Sequence, residues 1–571
     1  MPGSLSEPYE RSEPYEPAEP YEPAEPHEPA EQYESSEPYD LAVIGAGPAG
    51  LAGAVTACEL GLSVAVLDAA PQTGGQYFRH PAPGLGAARP QALHHDWSEF
   101  TALRGRFEAS GVTHLPHHHV WTVRPPDGDG IWIVHALTGP DAHNGAPARV
   151  RARTILLATG AYERQLPFPG WTLPGVIGAG GAQAVLKSGL VLPGRRIVVA
   201  GSGPLLLAVA SSLAAAGARV PAVVEASGYL GYARRPYALA AGPHKLLEAA
   251  VHGSALLRHR APLRTRSAVT EAHGTDRVEA VTVSRLDRAW RPVPGTGRRI
   301  ACDALAVGHG LVPQTELATG LGCATRRTPD GTHALALDAL QESSVPGLWA
   351  AGETGGTGGW DLARTEGELA GIAVAARLRG LPALTRSRRA RALARRRDRL
   401  RAFADAMAAA HAPGPGWTAW LPDDTDVCRC EEVTAGSIRG AAGALGARDA
   451  RTVKLLTRAG MGWCQGRMCG AAVACLAAEG GRGGGRGDGA GSGAGGGGGA
   501  GPRPAPPPPP ARAADGGRGG GRAPGAGRGA EGGTAQGTVP PSAERRPLAV
   551  PVPLGTLAGL PEESGRPRTT G

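Results

Sequence analysis

Four cysteines confine the C-terminal third of this 571-residue chain: Cys428-x-Cys430, a gap of 33 residues, then Cys464-x4-Cys469. Two close thiolate pairs must be folded onto one another by a compact module. Four sulfurs so arranged are the ligand set of a [2Fe–2S] cluster or of a structural zinc. Spacing alone leaves both open. Lys454, Arg458, Arg429 and Arg467 favour iron, because their charge offsets four thiolates plus bridging sulfides. The other cysteines do not group: Cys58 lies in a predicted helix, Cys302 and Cys323 are isolated, and Cys475 falls in an Ala-rich helix. They read as small buried hydrophobes. A long chain with grouped thiols and no apolar leader reads as cytoplasmic, without a disulfide framework and touching a membrane only through partners.

Composition marks what lies outside the folded part. Gly (88) and Pro (52) are in excess, and aromatics make up only 4%. Cores must therefore be built from Ala, Val and Leu with close backbone approaches. Residues 1–39 repeat Glu every third position from Glu7 to Glu37 with Pro and Tyr between, and residues 479–571 are Gly, Pro and Arg rich. Both are expected to be disordered tails. The middle is strongly basic, but no nucleic-acid motif accompanies the charge, so nucleic acid is not expected as a partner. No uncharged stretch reads as a membrane span.

Folded sequence begins at Asp40. Leu41–Ile44 reads as a strand, Gly45-Ala-Gly47-Pro-Ala-Gly50 as a turn, 48–60 as a helix and 63–67 as a second strand ending at Asp68, 18 residues past the last glycine. In this context the glycines allow a tight turn, backbone approach to a pyrophosphate and helix–strand packing, and Asp68 suits a ribose hydroxyl. Strand-like runs at 132–136, 154–158 and 347–351 follow, the last two ending at Thr159-Gly160 and Gly352-Glu353. Together with Gly74-Gly75-Gln76 this pattern resembles the two-dinucleotide-binding flavoprotein superfamily that includes thioredoxin reductase. The resemblance implies FAD held by Gly45, Gly47, Gly50, Asp68, Gly75, Gln76, Thr159, Gly160, Gly352 and Glu353. In that superfamily an acid after the late glycine, usually Asp, holds the ribityl or pyrophosphate region; here it is Glu353.

A second β-loop-α starts at Ile197 and carries Gly201-Ser-Gly203-Pro-Leu-Leu206, with Glu225 ending the next strand. Leu206 replaces the third glycine and demands a different packing of helix on strand. Glu225 suits a 2′-hydroxyl and disfavours NADP. Two readings stay open: NAD(H) at Gly201, Gly203 and Glu225, or a domain kept for its shape or for another nucleotide. No Cys-x-x-Cys or Cys-x4-Cys occurs between 40 and 380, which argues against dithiol exchange beside a flavin. Residues 384–407 read as a solvated basic linker helix whose apolar face is Leu393, Leu400, Phe403 and Met407. His80, His309 and the His117–His119 run are candidate bases by residue type only, the run standing just before a strand.

The segments Ala158-Thr-Gly-Ala-Tyr-Glu-Arg164, Pro167-Phe-Pro-Gly-Trp-Thr-Leu-Pro174, Gly201–Leu206 and Thr457-Arg-Ala-Gly-Met-Gly462 with Cys464-Gln-Gly-Arg-Met-Cys469 make the resemblance specific. Residues 40–478 resemble the FAD-containing α subunits of heteromeric amine and imino-acid dehydrogenases. That family includes the corresponding subunit of opine oxidase, dye-linked L-proline dehydrogenase α and the middle subunit of hydrogen cyanide synthase. The cysteine module resembles a bacterioferritin-associated-ferredoxin-type [2Fe–2S] domain. The implied fold class is α/β: an FAD domain (40–166 and 305–380) with an inserted NAD-type domain (190–304), a basic linker helix (381–420) and a small helical [2Fe–2S] domain (421–478). The implied activity is electron transfer from an amino-acid-oxidase-like flavoprotein subunit, beside a small ferredoxin-like subunit, to an acceptor. Cys428, Cys430, Cys464 and Cys469 would hold the cluster. A stand-alone NADH-dependent acceptor reductase is one alternative; a non-catalytic zinc- or nucleotide-binding regulatory protein is the other.

Overall fold

The computed structural model describes residues 37–140, 145–228 and 243–483, with positions 142, 232 and 552; the acidic repeat and most of the C-terminal tail lie outside the described residues. The first sheet grows from the strand Tyr39–Ile44, whose Leu41 to Val43 are fully buried. It pairs parallel with Val64–Leu67 on one side and Ala146–Leu157 on the other. Thr113–Leu115 extends the first edge. The 12-residue strand Ala146–Leu157 changes partners along its length. Its first half pairs antiparallel with Trp132–Thr138, while its last three residues pair parallel with Leu348–Ala350. His118 and His119 lie inside the outermost strand, His118–Arg124, and not before it, because their backbones pair with Thr138 and Leu137.

The shortage of aromatic residues shows in how helices cover this sheet. Pro48–Glu59 and Trp360–Leu378 meet through backbone: a Cβ on Gly367 would lie 2.1 Å from the Ala49 carbonyl oxygen, and one on Gly371 would lie 2.6 Å from that of Gly53. A second, five-stranded parallel sheet runs in the order Leu263–Thr265, Val223–Glu225, Ile197–Gly201, Ala304–Gly308, Val176–Gly178. A three-stranded antiparallel meander, 267–301, packs beside it. Leu206 is buried in the core beneath this sheet with Val199 and Val209, so the helix Leu205–Ala215 packs by side chain where the first site packs by glycine.

The linker helix spans Arg388–Ala410 with Leu400 and Phe403 buried and most of its arginines exposed, while three of them turn to acids of the preceding helix: Arg389 meets Glu368, Arg396 meets Asp361 and Arg401 meets the buried Glu366. The cysteine module has a short hairpin, Asp426–Cys428 with Val433–Thr434, and three helices, Ala435–Gly443, Ala450–Thr457 and Gly470–Gly483. Two elements overrun the boundaries expected from sequence. Tyr39 joins the first strand by pairing with Ala152, and the last helix continues past 478. No helix among the described residues is long and apolar enough to cross a membrane.

Candidate functional site

The first glycine turn sits at the C-terminal end of the first sheet. Gly45 has φ of 110°, and a Cβ there would lie 2.4 Å from the Ala158 carbonyl oxygen. Gly50 packs directly on the Gly45 carbonyl, and Gly75 comes down on Gly47, where a Cβ would lie 2.9 Å from the Gly47 Cα. The helix that follows opens with Pro48, has no side-chain cap and carries no acid in its first turn. Its leading N–H groups are thereby left for an outside anion. Asp68 is half-buried and braces the turn by accepting from the Ala46 and Ala70 N–H groups. Two carboxylate oxygens carry about four acceptor sites, so a ribose hydroxyl can still be bound. Thr159 donates to the Gln314 carbonyl at 2.9 Å. Gly160 has φ of 77° and open space where a side chain would be. Gly352 closes the cradle against Ala49. This cradle fits the diphosphate and ribose of FAD.

Two residues assigned to the FAD from sequence have protein partners of their own. Gln76 is exposed and accepts from Arg79 at 2.9 Å. The Glu353 carboxylate accepts from Gly358 and from Gly359, the latter at 2.9 Å, and so caps the start of Trp360–Leu378. Burial pushes its carboxyl up, opposed by those two N–H groups. Its extra methylene relative to Asp gives it the reach for this cap.

Sequence reading passed over Lys187. It is one of only three lysines in a chain with 59 basic residues, which is the signal that could have found it. It is buried, donates to the Tyr77 carbonyl at 3.0 Å beside the Gly75–Gln76 loop, and burial lowers its pKa to about 8. His80 bonds the Phe78 carbonyl nearby, and His309 is buried between Trp290 and Trp420.

The second turn repeats the first with one addition. Gly201 packs on the Gly308 backbone, Gly203 faces open space, and Glu225 accepts from the Gly203 and Ser227 N–H groups at 2.9 Å each. Glu225 is only 2% exposed. His411, just past the linker helix, covers it: its Nδ1 lies 3.4 Å from Glu225, its carbonyl accepts from Ser202, and Tyr232 meets its Nε2 at 2.8 Å.

The four thiols arrive as two pairs. Cys428 and Cys469 are buried and hydrogen-bonded to each other, and Cys430 and Cys464 form the outer pair. The Cys469 thiol, helped by backbone N–H groups of Gly460, Glu431 and Cys430, lowers the Cys428 pKa to about 5 against burial; Cys469 is correspondingly pushed up. The Gly460 N–H donates to Cys428 Sγ at 3.4 Å. Gly462 lies against Cys430, where a Cβ would sit 2.3 Å from Cys430 Cβ. Among the described residues no three or more His, Cys, Asp or Glu side chains are placed to hold one metal ion. Two pairs, each able to serve one iron, fit a two-iron cluster better than a tetrahedral zinc. The basic residues expected to offset its charge are partly engaged elsewhere: Arg458 pairs with Glu431, Arg467 with Glu316, and Arg429 lies 5.7 Å over the Trp171 ring.

That Arg467–Glu316 pair, 3.1 Å long and mostly buried, ties the cysteine loop to the flavin side. Two residues before Glu316, the Gln314 N–H donates to the Gly160 carbonyl.

Comparison with known proteins agrees with this layout. Residues 39–374 match the pyridine nucleotide-disulphide oxidoreductase family, and residues 427–479 match the BFD-like [2Fe-2S] binding domain. The chain is 34% identical to hydrogen cyanide synthase subunit HcnB of Pseudomonas aeruginosa over 433 residues, covering 75% of this chain and 90% of that protein. It is 35% identical to an opine oxidase subunit of Rhizobium meliloti over 457 residues, covering 77% and 92%. The fold resembles L-proline dehydrogenase from P. horikoshii, with a TM-score of 0.54 at 19% identity over 79% of this chain and 75% of that one. The chain thus belongs to the pyridine nucleotide-disulphide oxidoreductase family, as an FAD-dependent oxidoreductase with a [2Fe–2S] domain and long matches to subunits of multi-subunit enzymes.

Proposed function

We propose that this chain is the electron-transfer subunit of a multi-subunit dehydrogenase acting on an amino or imino acid of the proline, hydroxyproline, opine or glycine type. The observation that carries the reading is the joint between its two cradles: Arg467, between two cluster thiols, pairs with Glu316, and the segment leading to Glu316 bonds Gly160 of the flavin turn. FAD accepts an electron pair, and a [2Fe–2S] cluster passes electrons singly. The chain's own residues bind, brace and orient. Gly45, Gly47, Gly50, Gly75, Gly160 and Gly352 give the FAD backbone access, Asp68 offers acceptors to its ribose, and the four cysteines hold the cluster. None of them has to act as a base on the amine. That chemistry belongs to a separate amino-acid-oxidase-like subunit, with a small ferredoxin-like subunit completing the assembly.

The NADH-dependent alternative is disfavoured by Glu225, whose carboxylate lies sealed beneath His411. The test is co-expression with an amino-acid-oxidase-like flavoprotein subunit taken from the same genome. Proline, hydroxyproline, sarcosine, glycine and an opine should each be tried under anaerobic conditions. At least one should bleach the flavin of the assembly and none should bleach this chain alone. Bleaching of the isolated chain by NADH would replace this reading with the reductase.

A further inference from the structure

The cysteine module carries a surface that its fold does not explain. Cys428 and Cys469 are buried, Cys464 is half-buried and Cys430 is exposed, so the thiol set has one outward edge. In the same module Leu445, Leu455, Leu456, Met461 and Trp463 are 66%, 68%, 48%, 38% and 59% exposed, and Met461 and Trp463 flank the Gly462 that seats on Cys430. All five fall within residues 445–463, and no other stretch of similar length among the described residues gathers as many exposed large apolar side chains. The helix Ala450–Thr457 buries Val453 but turns Leu455 and Leu456 outward. The Met461 N–H donates to the Arg458 carbonyl, and Gly462 seats on Cys430, which fixes this loop beside the exposed thiol. A concentrated apolar patch of this kind marks a surface that another molecule covers. The same stretch carries Arg448, Arg451 and Lys454, besides Arg458 paired with Glu431, against one acid, Asp449, whose carboxylate is spent capping the helix.

We propose that this face is the docking site of a one-electron carrier protein with an apolar contact patch inside an acidic rim. The proposal rests on the electron-transfer reading of the chain given above and names the partner of its cluster end. Basic rim against acidic rim steers the encounter, while the apolar centre gives contact. A patch this small suits the brief encounters of redox partners, which bury less than about 1,200 Å². The two-electron exchange belongs to the flavin, so the cluster's outward edge is where a carrier taking one electron per encounter must sit.

The test uses the full chain purified without oxygen, with flavin, iron and sulfide content measured first. The probes are an acidic plant-type [2Fe–2S] ferredoxin and basic cytochrome c, titrated by calorimetry. The ferredoxin should bind, with affinity falling as salt rises. The double variant Leu455→Ser/Leu456→Ser should weaken it about tenfold or more at unchanged iron and sulfide. Lys454→Glu should weaken it severalfold and flatten the salt dependence. Leu257→Ser, the same change at an exposed leucine of another helix, should leave it unaltered. A photo-crosslinker at position 455 should join to the ferredoxin. The proposal is overturned if the ferredoxin fails to bind a fully loaded chain, if the double variant binds it normally, if cytochrome c takes the site instead, or if the crosslink lands on a second copy or on this chain's own C-terminal segment. Absent iron or flavin would instead sink the underlying function, which the cofactor measurement reports separately.

Discussion

The two nucleotide folds of this chain are built alike and finished differently. In each, an acid at the end of the second strand accepts a backbone N–H from the glycine turn: Asp68 from Ala46, Glu225 from Gly203. Asp68 stays half-buried, whereas Glu225 is 2% exposed beneath His411. One helix serves both. Arg401 of Arg388–Ala410 pairs with Glu366 and donates to the Gly356 carbonyl, and Glu366 in turn accepts from Gly352 of the first cradle. The residue that ends the same helix closes the second crevice. The two crevices share a fold and differ in what the chain lays across them.

The sharpest way to break this comparison is in the glycine turns. Gly45→Ala forces a Cβ to within 2.4 Å of the Ala158 oxygen, and purified protein should contain no flavin. Gly203→Ala strains a turn at φ of 116° but meets open space and lies outside the flavin cradle, so the folded protein should keep a full complement, read from absorbance and released FAD. Next comes Arg401→Met, which strands the buried Glu366 and should cost about 3–5 kcal/mol in denaturant unfolding, with flavin released earlier than in the parent. His411→Ala should act on the other site only. The parent should not bind NADH at roughly 1 mM, the weak end of ordinary affinities. The variant should gain at least about tenfold with FAD content unchanged; tight NADH binding by the parent would erase the distinction drawn here.

The smallest effect concerns acid stability. Burial, then the nearby Arg164 charge, lowers the His309 pKa from 6.5 to about 3. The unfolded chain takes up this proton below about pH 6.5 and the folded chain does not, so stability should fall as pH drops from there towards 3. The slope from this group is at most about 1.4 kcal/mol per pH unit. His309→Gln should remove that component between pH 6.5 and 5, seen as a smaller shift in denaturation midpoint than in the parent.

What the sequence made legible was local. The glycine turns, the strand-end acids and the paired cysteines are read from spacing, because strand, turn and helix geometry tie each motif to residues near it. What escaped depends on partners far along the chain. Glu225 and His411, Glu366 and Arg401, and Glu316 and Arg467 are joined only by tertiary packing. On the linker helix, Arg389, Arg396 and Arg401 read as part of the solvated face until Glu368, Asp361 and Glu366 of the preceding helix are brought beside them. Glu353 conforms to a motif position, yet its longer arm turns to Gly358 and Gly359, a choice no spacing rule contains.

The claim that a flavin and a [2Fe–2S] cluster exchange electrons within this one chain is tested most directly by an anaerobic reductive titration, following flavin absorbance and the paramagnetic signal of the reduced cluster together. The account predicts uptake of about three reducing equivalents per chain, two for the flavin and one for the cluster, with the cluster signal growing as the flavin bleaches and both redistributing after each addition. Uptake of about two equivalents with no cluster signal, and zinc at the four thiols, would contradict it.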